Sequence, residues 1–351
     1  MKITLKDIAK EAGVSQATIS RIVNRNASVS SALEQKVFTA AKNLGVEIPQ
    51  KKILKEPVQD RPSVIGLQVS DLANPYFQEV MRGVIGEAKQ IDYGVQVFET
   101  KEDIQVEEET FRSMEKFHLD GVILCATRIS DAKLLSFYHR IGIPMVLVNR
   151  YIKDSAICCI TVDHRRSMFQ ATTHLIDLGH RQIAYLAGPS KSNNSLNRRS
   201  GIVDALTKAG LKLNPDLCLG SFPDVDGGFQ SMISLLSLPK EKQPTAVLAY
   251  NDLVAVGALR AIRMKSLRVP EDISIIGMDN IPITTHTYPP LTTVSPPKVQ
   301  IGALAMRNIH RMNTGEYENR EGYMEVEAPL TLRYSTGPAP IAGNGVEAER
   351  K

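Results

Sequence analysis

The chain has 351 residues, more than one hydrophobic core usually serves, so we expect two or three domains. The formal charge of +4 is concentrated at one end, because residues 1–60 carry ten Lys or Arg against six Asp or Glu and the rest carries 32 of each sign. A small basic segment on a neutral body is typical of a protein that neutralises a few nucleic-acid phosphates. There is no apolar secretion signal and no run of membrane-spanning length, so we expect a cytoplasmic protein with no membrane partner.

Residues 4–24 read TLKDIAKEAGVSQATISRIVN and predict two helices joined by a tight turn. Thr4 is placed to cap the first helix, and Asp7 in the first turn is placed to hydrogen-bond back to Thr4. Leu5, Ile8 and Ala9 share one face of this helix at helical spacing. The sequence therefore predicts an amphipathic helix whose N-cap residue is Thr4.

The second half of this stretch predicts the turn and a second helix. Gly13 ends the first helix, Val14 follows as an apolar residue that packs between the two helices, and Ser15 caps the second helix. The core-facing residues of that helix are Ile19, Ile22 and Val23, and the outward face carries Gln16, Ala17, Ser20 and Arg21. A recognition helix presents such a face to DNA bases. The alternative is an ordinary pair of amphipathic helices with a solvated polar face, and the combination of cap, glycine turn and outward polar residues favours the DNA-binding motif.

A third helix, a linker and an α/β body follow in chain order. Apolar residues recur at helical spacing over residues 31–44, ending before Gly45, and the polar segment 49–62 is typical of a linker. Apolar runs then alternate with amphipathic segments; they lie at 64–69, 121–126, 144–150, 183–188, 246–252 and 273–279. This alternation predicts parallel sheets.

Several of these runs end in polar residues: Asn149 and Arg150, Asn251 and Asp252, and Asp279 and Asn280. Ligands of open α/β sheets bind outside the carboxyl ends of the strands, so these side chains are candidates for one cleft. The alternative for each of them is that it only caps the following helix.

The four cysteines are Cys125, Cys158, Cys159 and Cys218, with no C-x-x-C spacing and no nearby histidine pair. Neither a metal site nor a disulfide framework fits this pattern. We expect small buried residues of a reduced protein without metal or cofactor.

The stretch 4–24 resembles the N-terminal signature of the lactose-repressor (LacI) family of bacterial transcription regulators, T-L-x-D-V-A-x-x-A-G-V-S-x-x-T-V-S-R-V-L-N. Further motifs follow in the family's order: NPYF at 74–77, VDHRRS at 162–167, HLIDLGHRQIAYLAGP at 174–189, AYNDLVAVGALRA at 249–261, RVPEDISIIGMDN at 268–280 and PLTLRYST at 329–336. The resemblance therefore covers about residues 4 to 336.

The resemblance implies a small all-α helix-turn-helix head, residues 1–48, a linker or hinge, 49–61, and an effector-binding and dimerisation body, 62–337. The body would consist of two doubly wound parallel-sheet subdomains, like a periplasmic binding protein, joined by three crossing strands around a cleft. The first subdomain would hold residues 62–162 and 294–324, and the second 163–293 and 325–337. The tail, 338–351, is Pro-, Gly- and charge-rich without leucine heptads, which favours a dimer with a disordered end.

The same resemblance implies DNA contacts at Thr4, Ser15, Gln16, Ala17, Thr18, Ser20, Arg21, Asn24 and Leu54. Gln16 suits adenine, Arg21 suits guanine, and Ala17 suits a thymine methyl group. Two departures predict weaker or shifted DNA binding. The hinge motif P-N-x-x-A-R-x-L is replaced by PQKKILKE at 49–56, with Leu54 or Ile53 as the candidate minor-groove wedge. The family's T-R pair that opens the third helix is Leu33 and Glu34.

For the effector, the resemblance implies that Arg198 of RRSG occupies the place of the R-x-x-G arginine and that Asp279 accepts hydrogen bonds. Asn149 stands where aspartate is commoner in the family and makes the pocket less acidic. The remaining candidate wall residues are Tyr76, Phe77, Ser192, Asn194, Phe222 and Asn251. A purely structural core role is the alternative for the aromatic side chains.

The sequence thus predicts a ligand-responsive repressor that binds a palindromic operator in double-stranded DNA as a homodimer, controlled by a sugar or sugar derivative. A NAD-dependent enzyme is the first alternative, but G-x-G-x-x-G, P-loop and H-E-x-x-H motifs are absent from the sequence. A transport-type binding protein would explain the cleft but not the helix-turn-helix. The sequence does not decide whether a phosphorylated carrier protein acts as co-effector. It also does not decide whether the ligand weakens or strengthens DNA binding.

Overall fold

The computed structural model forms two compact units, Met1–Asp60 and Arg61–Lys351, which are described separately. The residues described are 4–16, 18–19, 36–37, 39–41, 43–44, 62–153, 157–189, 192–317 and 322–340. No helix within these ranges is long and apolar enough to cross a membrane.

In the N-terminal unit, helix α1 (Leu5–Ala12) has the predicted cap and the predicted glycine stop. The Asp7 carboxylate accepts hydrogen bonds from the backbone N–H of Thr4 at 2.8 Å and from its hydroxyl at 2.6 Å. Gly13 has φ +64° and ψ +36°, the left-handed conformation that glycine adopts cheaply. Both local predictions are confirmed.

Ser15 caps the following helical residues, since its Oγ accepts from the backbone N–H of Thr18 at 3.1 Å. The small core of this unit is formed by Ile8, Ala9, Ala12, Ile19, Val37, Ala40 and Ala41, with Val14 and Leu44 packed against it. Leu5 shares the face of Ile8 by its spacing in the helix, but it is 43% exposed and is not part of this core. The predictions for Ala17, Ser20, Arg21, Ile22, Val23, Asn24, Leu33, Glu34, Ile53 and Leu54 fall outside the described residues.

The first sheet of the body consists of β1 (Ser63–Val69), β2 (Tyr93–Glu99), β3 (Gly121–Cys125), β4 (Met145–Val148), β5 (Cys158–Val162) and β11 (Tyr323–Val326). Its strands are parallel in the order β11-β5-β4-β3-β1-β2. Its helices are α2 (Pro75–Gln90), α3 (Ile104–Met114), α4 (Asp131–Ile141) and α9 (Lys298–Thr314).

The second sheet consists of β6 (Ile183–Ala187), β7 (Cys218–Gly220), β8 (Ala246–Ala249), β9 (Ser274–Met278), β10 (Thr292–Val294) and β12 (Leu330–Thr331), in the order β12-β10-β9-β8-β6-β7. Only the β10–β12 pair of this sheet, as far as the structure describes it, is antiparallel. Its helices are α5 (His164–Asp177), α6 (Asn193–Lys208), α7 (Val225–Leu236) and α8 (Asp252–Met264), with short 3-10 turns at Pro215–Leu217, Lys240–Lys242 and Pro282–Thr285.

Helices cover both faces of each sheet, as the sequence pattern predicts. In β3, Ile123 and Cys125 pack in the same core as α2 and α9, whereas Val122 and Leu124 pack in the core that contains Phe111 of α3. Alternating side chains of a strand point to opposite faces, so a strand that is covered twice has an unbroken apolar sequence. The doubly wound α/β architecture is therefore confirmed.

Three chain segments connect the two sheets and are hydrogen-bonded to one another. The backbone N–H of Asp163 donates to the carbonyl of Val326 at 3.0 Å, and that of Ser295 donates to the carbonyl of Pro329 at 2.8 Å. The hydroxyl of Ser167 also donates to the carbonyl of Ala328 at 3.0 Å. These bonds join the three crossings side by side, which gives the two subdomains a common hinge. Beyond them, the backbone N–H of Ala339 donates to the carbonyl of Leu178 at 2.8 Å, and residues 341–351 lie outside the described part.

The cysteines of the body are placed largely as predicted. Cys125, Cys158 and Cys159 are buried, Cys218 is partly buried, and none of these four described residues forms a disulfide.

Helices α2 and α9 cross through facing glycines. A Cβ added to Gly83 would lie 2.0 Å from the carbonyl oxygen of Val299, and one added to Gly302 would lie 2.0 Å from that of Val80. Gly86 lies on the same helix as Gly83, and a Cβ there would meet nothing within 4 Å. On α2, Gly83 is therefore needed for the close approach of the two helices and Gly86 is not.

This contrast predicts opposite effects of two alanine substitutions in α2. Gly83→Ala should lower the free energy of unfolding by about 3 kcal/mol, because the methyl group pushes two packed helices apart. Gly86→Ala should raise it by roughly 0.5–1 kcal/mol through helix propensity. Urea denaturation followed by circular dichroism measures both. Equal effects would contradict the crossing geometry.

Candidate effector cleft

The carboxyl ends of strands from both sheets surround one cleft, which we call the Arg198 cleft. It is lined by Asn74, Tyr76, Phe77, Glu102, Ala126, Arg128, Asn149, Ser192, Asn194, Arg198, Pro223, Tyr250, Asn251 and Asp279. Of the nine predicted effector residues, the structure brings together every one except Phe222, which is 61% exposed and whose neighbour Pro223 lines the cleft instead.

On the side of the first sheet, Asn149 and Tyr76 form a buried polar pair. Asn149 follows β4 with φ +59°, and its side-chain amide donates to the Tyr76 hydroxyl at 2.7 Å. The Tyr76 ring contacts Phe77 edge to face at 5.3 Å between centroids. The side-chain oxygen of Asn149 is buried and has no hydrogen-bond partner among the described residues. This side of the cleft therefore has an unused acceptor in Asn149 and an unused hydroxyl donor in Tyr76.

On the side of the second sheet, Arg198 and Asp279 face each other. Arg198 lies on α6 and is only 5% exposed; its Nη1 donates to the carbonyl of Tyr250 at 2.6 Å, and its guanidinium lies 4.2 Å above the Tyr250 ring. Its Nη2 is 3.9 Å from Oδ1 of Asp279, too far for a direct hydrogen bond. The two groups are thus held in place with hydrogen-bonding capacity left for a molecule between them.

Contacts with residues of α5 also position Arg198 and its helix. Its Nε points to Nδ1 of His164 at 3.5 Å, and burial together with the Arg198 charge lowers the pKa of His164 well below its usual value. His164 is therefore a neutral acceptor at physiological pH. Gly201, the glycine of the R-x-x-G motif, has a structural role, since a Cβ there would lie 2.1 Å from the carbonyl oxygen of Arg165 in α5.

Asp279 lies in a strained loop just after β9, with φ +113°. Burial raises its pKa from 3.8 to about 6, although Arg198 and Lys298 oppose that shift. The Lys298 ammonium donates to the backbone carbonyls of Asp279 and Asn280. At pH 7 the Asp279 carboxylate is consequently ionised and able to accept hydrogen bonds.

The raised pKa of Asp279 predicts a pH-dependent stability. The carboxyl group of Asp279 holds its proton more tightly in the folded protein than in the unfolded chain. Its contribution to the free energy of unfolding is therefore greatest below pH 3.8 and is lost as pH rises through about 6. The stability of Asp279→Asn relative to wild type should therefore increase by roughly 2 kcal/mol between pH 4 and pH 7. Denaturation curves at both pH values measure this difference. A constant difference would show that the pKa of Asp279 is not raised.

Three further predicted residues lie at helix starts. The Asn251 oxygen accepts from the backbone N–H of Val254 at 2.9 Å and its amide donates to the carbonyl of Pro223 at 3.0 Å, so the capping alternative describes its present contacts. Ser192 is the N-cap position of α6 without a side-chain capping bond, and Asn194 follows in the first turn. Both face the cleft from the second sheet.

Sequence reasoning missed a charged pair in the cleft, Glu102 and Arg128. They form an ion pair, with side chains 12% and 22% exposed. Glu102 follows β2 in the left-handed conformation, φ +61°, and Arg128 follows β3 after Ala126, φ +54°. The available signal for Arg128 was its position just after the apolar run 121–126, whereas no such run precedes Glu102.

Comparisons with known proteins agree with this architecture. A family model described as "Bacterial regulatory proteins, lacI family" matches residues 4–46, and one described as "Periplasmic binding protein-like domain" matches residues 172–336. The HTH-type transcriptional repressor PurR of Pasteurella multocida is 31% identical over 95% of this chain and 98% of that protein. The HTH-type transcriptional repressor CytR of Escherichia coli K12 is 32% identical over 96% and 97%.

Solved structures give the same result. The transcription regulator CcpA of Lactococcus lactis has a TM-score of 0.72 and 29% identity, covering 79% of this chain and 100% of that one. A CelR–cellobiose complex has a TM-score of 0.71 and 28% identity, covering 95% and 100%. The lac repressor dimer bound to operator has a TM-score of 0.69 and 25% identity, covering 96% and 100%. These relatives are transcriptional regulators and not enzymes, and this chain belongs to the LacI family of bacterial regulatory proteins.

Proposed function

We propose that this protein is a cytoplasmic, ligand-responsive repressor that binds a palindromic operator as a homodimer and is controlled by a sugar or sugar derivative. The observation that carries the proposal is the Arg198 cleft, where Asn149 and Tyr76 of one subdomain and Arg198 and Asp279 of the other have hydrogen-bonding capacity left over. A polyhydroxylated molecule supplies donors and acceptors to both sides at once. Such a ligand would favour a closed arrangement of the subdomains.

The DNA-binding part of the proposal rests on the helix-turn-helix of the N-terminal unit. The capped helix α1, the left-handed Gly13 and the Ser15 cap support a recognition helix that begins at Gln16. One such helix contacts few base pairs, so two chains are needed for a specific site, and a two-fold dimer implies a palindrome. Sedimentation equilibrium should give a dimer, and a monomer at the concentration that binds DNA would contradict it.

The sugar part of the proposal follows the cleft chemistry and the solved relatives. One relative is a complex with cellobiose, and another LacI family regulator, from Enterococcus faecium, contains bound ribose. The aromatic side chains of Tyr76 and Phe77 line the cleft beside directional polar groups. This combination suits a sugar ring, which is apolar on its faces and polar at its edge.

Two experiments test the proposed function. Selection of duplexes from a random pool with the full-length protein should enrich a two-fold symmetric sequence. A thermal-shift screen against sugars, sugar phosphates, sugar acids, nucleosides and purines should give a rise in melting temperature, since a ligand of the folded state stabilises it. Enrichment of an asymmetric sequence, or stabilisation by purines alone, would contradict the proposal.

A further inference from the structure

Beside the Arg198 cleft lies a second space of about 260 Å³, which we call the Asn193 chamber. It lies between the loop after β3 and the start of α6. It shares Asn149 and Asn194 with the cleft and adds Thr127, Ser130 and Asn193. The two spaces therefore adjoin each other along shared lining residues, and the added lining is mainly polar.

The distribution of volume between the two spaces bears on the length of the ligand. The Arg198 cleft encloses about 50 Å³, whereas small-molecule pockets in proteins typically have roughly 300–1,000 Å³. The groups suited to anchor a ligand, Arg198 and Asp279, lie in the small space, and most of the room lies in the chamber. We propose that the effector extends from Arg198 and Asp279 into the Asn193 chamber and is a neutral, hydroxyl-rich molecule of about disaccharide length. This inference rests on the proposed function of the cleft.

Two lining residues carry buried polar atoms without a partner. Asn149 lines both spaces and Arg150 lines the chamber, and the Asn149 side-chain oxygen and the Arg150 Nε have no hydrogen-bond partner among the described residues. Buried polar atoms are seldom left unpaired. The first is an acceptor and the second is a donor, and a hydroxyl group both donates and accepts. A hydroxyl-rich ligand therefore carries groups that suit either atom.

The charges around the two spaces favour a neutral ligand. Arg128 pairs with Glu102, Arg150 pairs with Asp131 at 2.6 Å, and Arg198 faces Asp279 at 3.9 Å. The other buried cation beside the cleft, Lys298, pairs with Glu79 at 3.2 Å. A phosphate or carboxylate would add a negative charge where each of these cations already has a carboxylate beside it. A neutral ligand leaves this balance intact.

Isothermal titration calorimetry with matched sugars tests the inference. The probes are cellobiose, maltose, lactose, sucrose and trehalose, their constituent monosaccharides, and glucose 6-phosphate. At least one disaccharide should bind, and its constituent monosaccharides and glucose 6-phosphate should bind at least about tenfold more weakly. A monosaccharide or glucose 6-phosphate that binds as tightly would overturn the two-chamber inference and leave the proposed function standing. No binding by any of these sugars would overturn the inference, and the thermal-shift screen would then decide whether the proposed function also fails.

A pair of asparagine variants in α6 locates the second half of the ligand. Asn193 lines the chamber, whereas Asn197, one turn further along the same helix, is exposed and lines neither space. Asn193→Ala should weaken disaccharide binding about tenfold without changing monosaccharide binding, and Asn197→Ala should change neither. Equal affinities of the two variants for the disaccharide would place the ligand outside the chamber.

Discussion

Arg198→Ala is expected to weaken effector binding by about 100-fold or more, because it removes a buried guanidinium whose planar fork can give two charge-assisted hydrogen bonds. The side chain is 5% exposed and is held by the Tyr250 carbonyl and by His164. Its loss also leaves the buried Asp279 carboxylate without its arginine partner. Calorimetry with the effector found by screening measures the change.

Two companion variants separate recognition from folding. Arg198→Lys keeps the charge and the helix but loses the fork, so it should retain the wild-type fold by circular dichroism and still bind effector at least about tenfold more weakly. Arg199→Ala removes an exposed arginine from the next position and should bind as wild type. Unchanged affinity in the lysine variant would show that Arg198 contributes charge alone, and unchanged affinity in the alanine variant would remove Arg198 from the site.

Arg21→Ala is expected to reduce operator binding by roughly 1–3 kcal/mol, about fivefold to 150-fold, while binding to scrambled DNA changes much less. The prediction comes from the sequence pattern, which predicts an outward position for Arg21 on the second helix; Arg21 itself lies outside the described residues. A bidentate arginine–guanine contact is sequence-specific, whereas a phosphate contact is not. Fluorescence anisotropy with the selected operator and a scrambled duplex gives both affinities.

The exposed body variant Arg199→Ala serves as the control for lost positive charge and should leave both affinities unchanged. The salt dependence gives a second readout, because loss of a phosphate contact lowers the slope of log K against log salt by about one. An equal loss on operator and scrambled DNA, with a reduced slope, would assign Arg21 to phosphate.

The parts of the fold governed by local chemistry were predictable from the sequence. Thr4, Asp7, Gly13 and Ser15 act within a few residues of themselves, and the structure confirms their caps and turn. The parallel sheets followed from the alternation of apolar runs with amphipathic helical segments. The exposure of Leu5 was not predictable, because helical spacing assigns a residue to a face but does not show where a small core ends.

The candidate site was predictable only where one strand end supplied one polar residue. Asn149, Asn251 and Asp279 come directly after strands and face the cleft. Glu102 and Arg128 were not predicted, because their pairing depends on two left-handed loop residues and on the order of neighbouring strands. Phe222 was wrongly expected to line the wall; its ring is exposed, and the adjacent proline has that place.

Whether a ligand in the Arg198 cleft controls DNA binding is tested most directly by one titration. Full-length protein is titrated into labelled operator duplex with and without saturating effector, for wild type and for Arg198→Lys. We predict that saturating effector changes the Kd of wild type for operator by at least about tenfold, a coupling within the usual allosteric range, and that the effector concentration giving half of this change is at least about tenfold higher for the variant. An unchanged Kd for wild-type protein saturated with effector would contradict the proposed regulation.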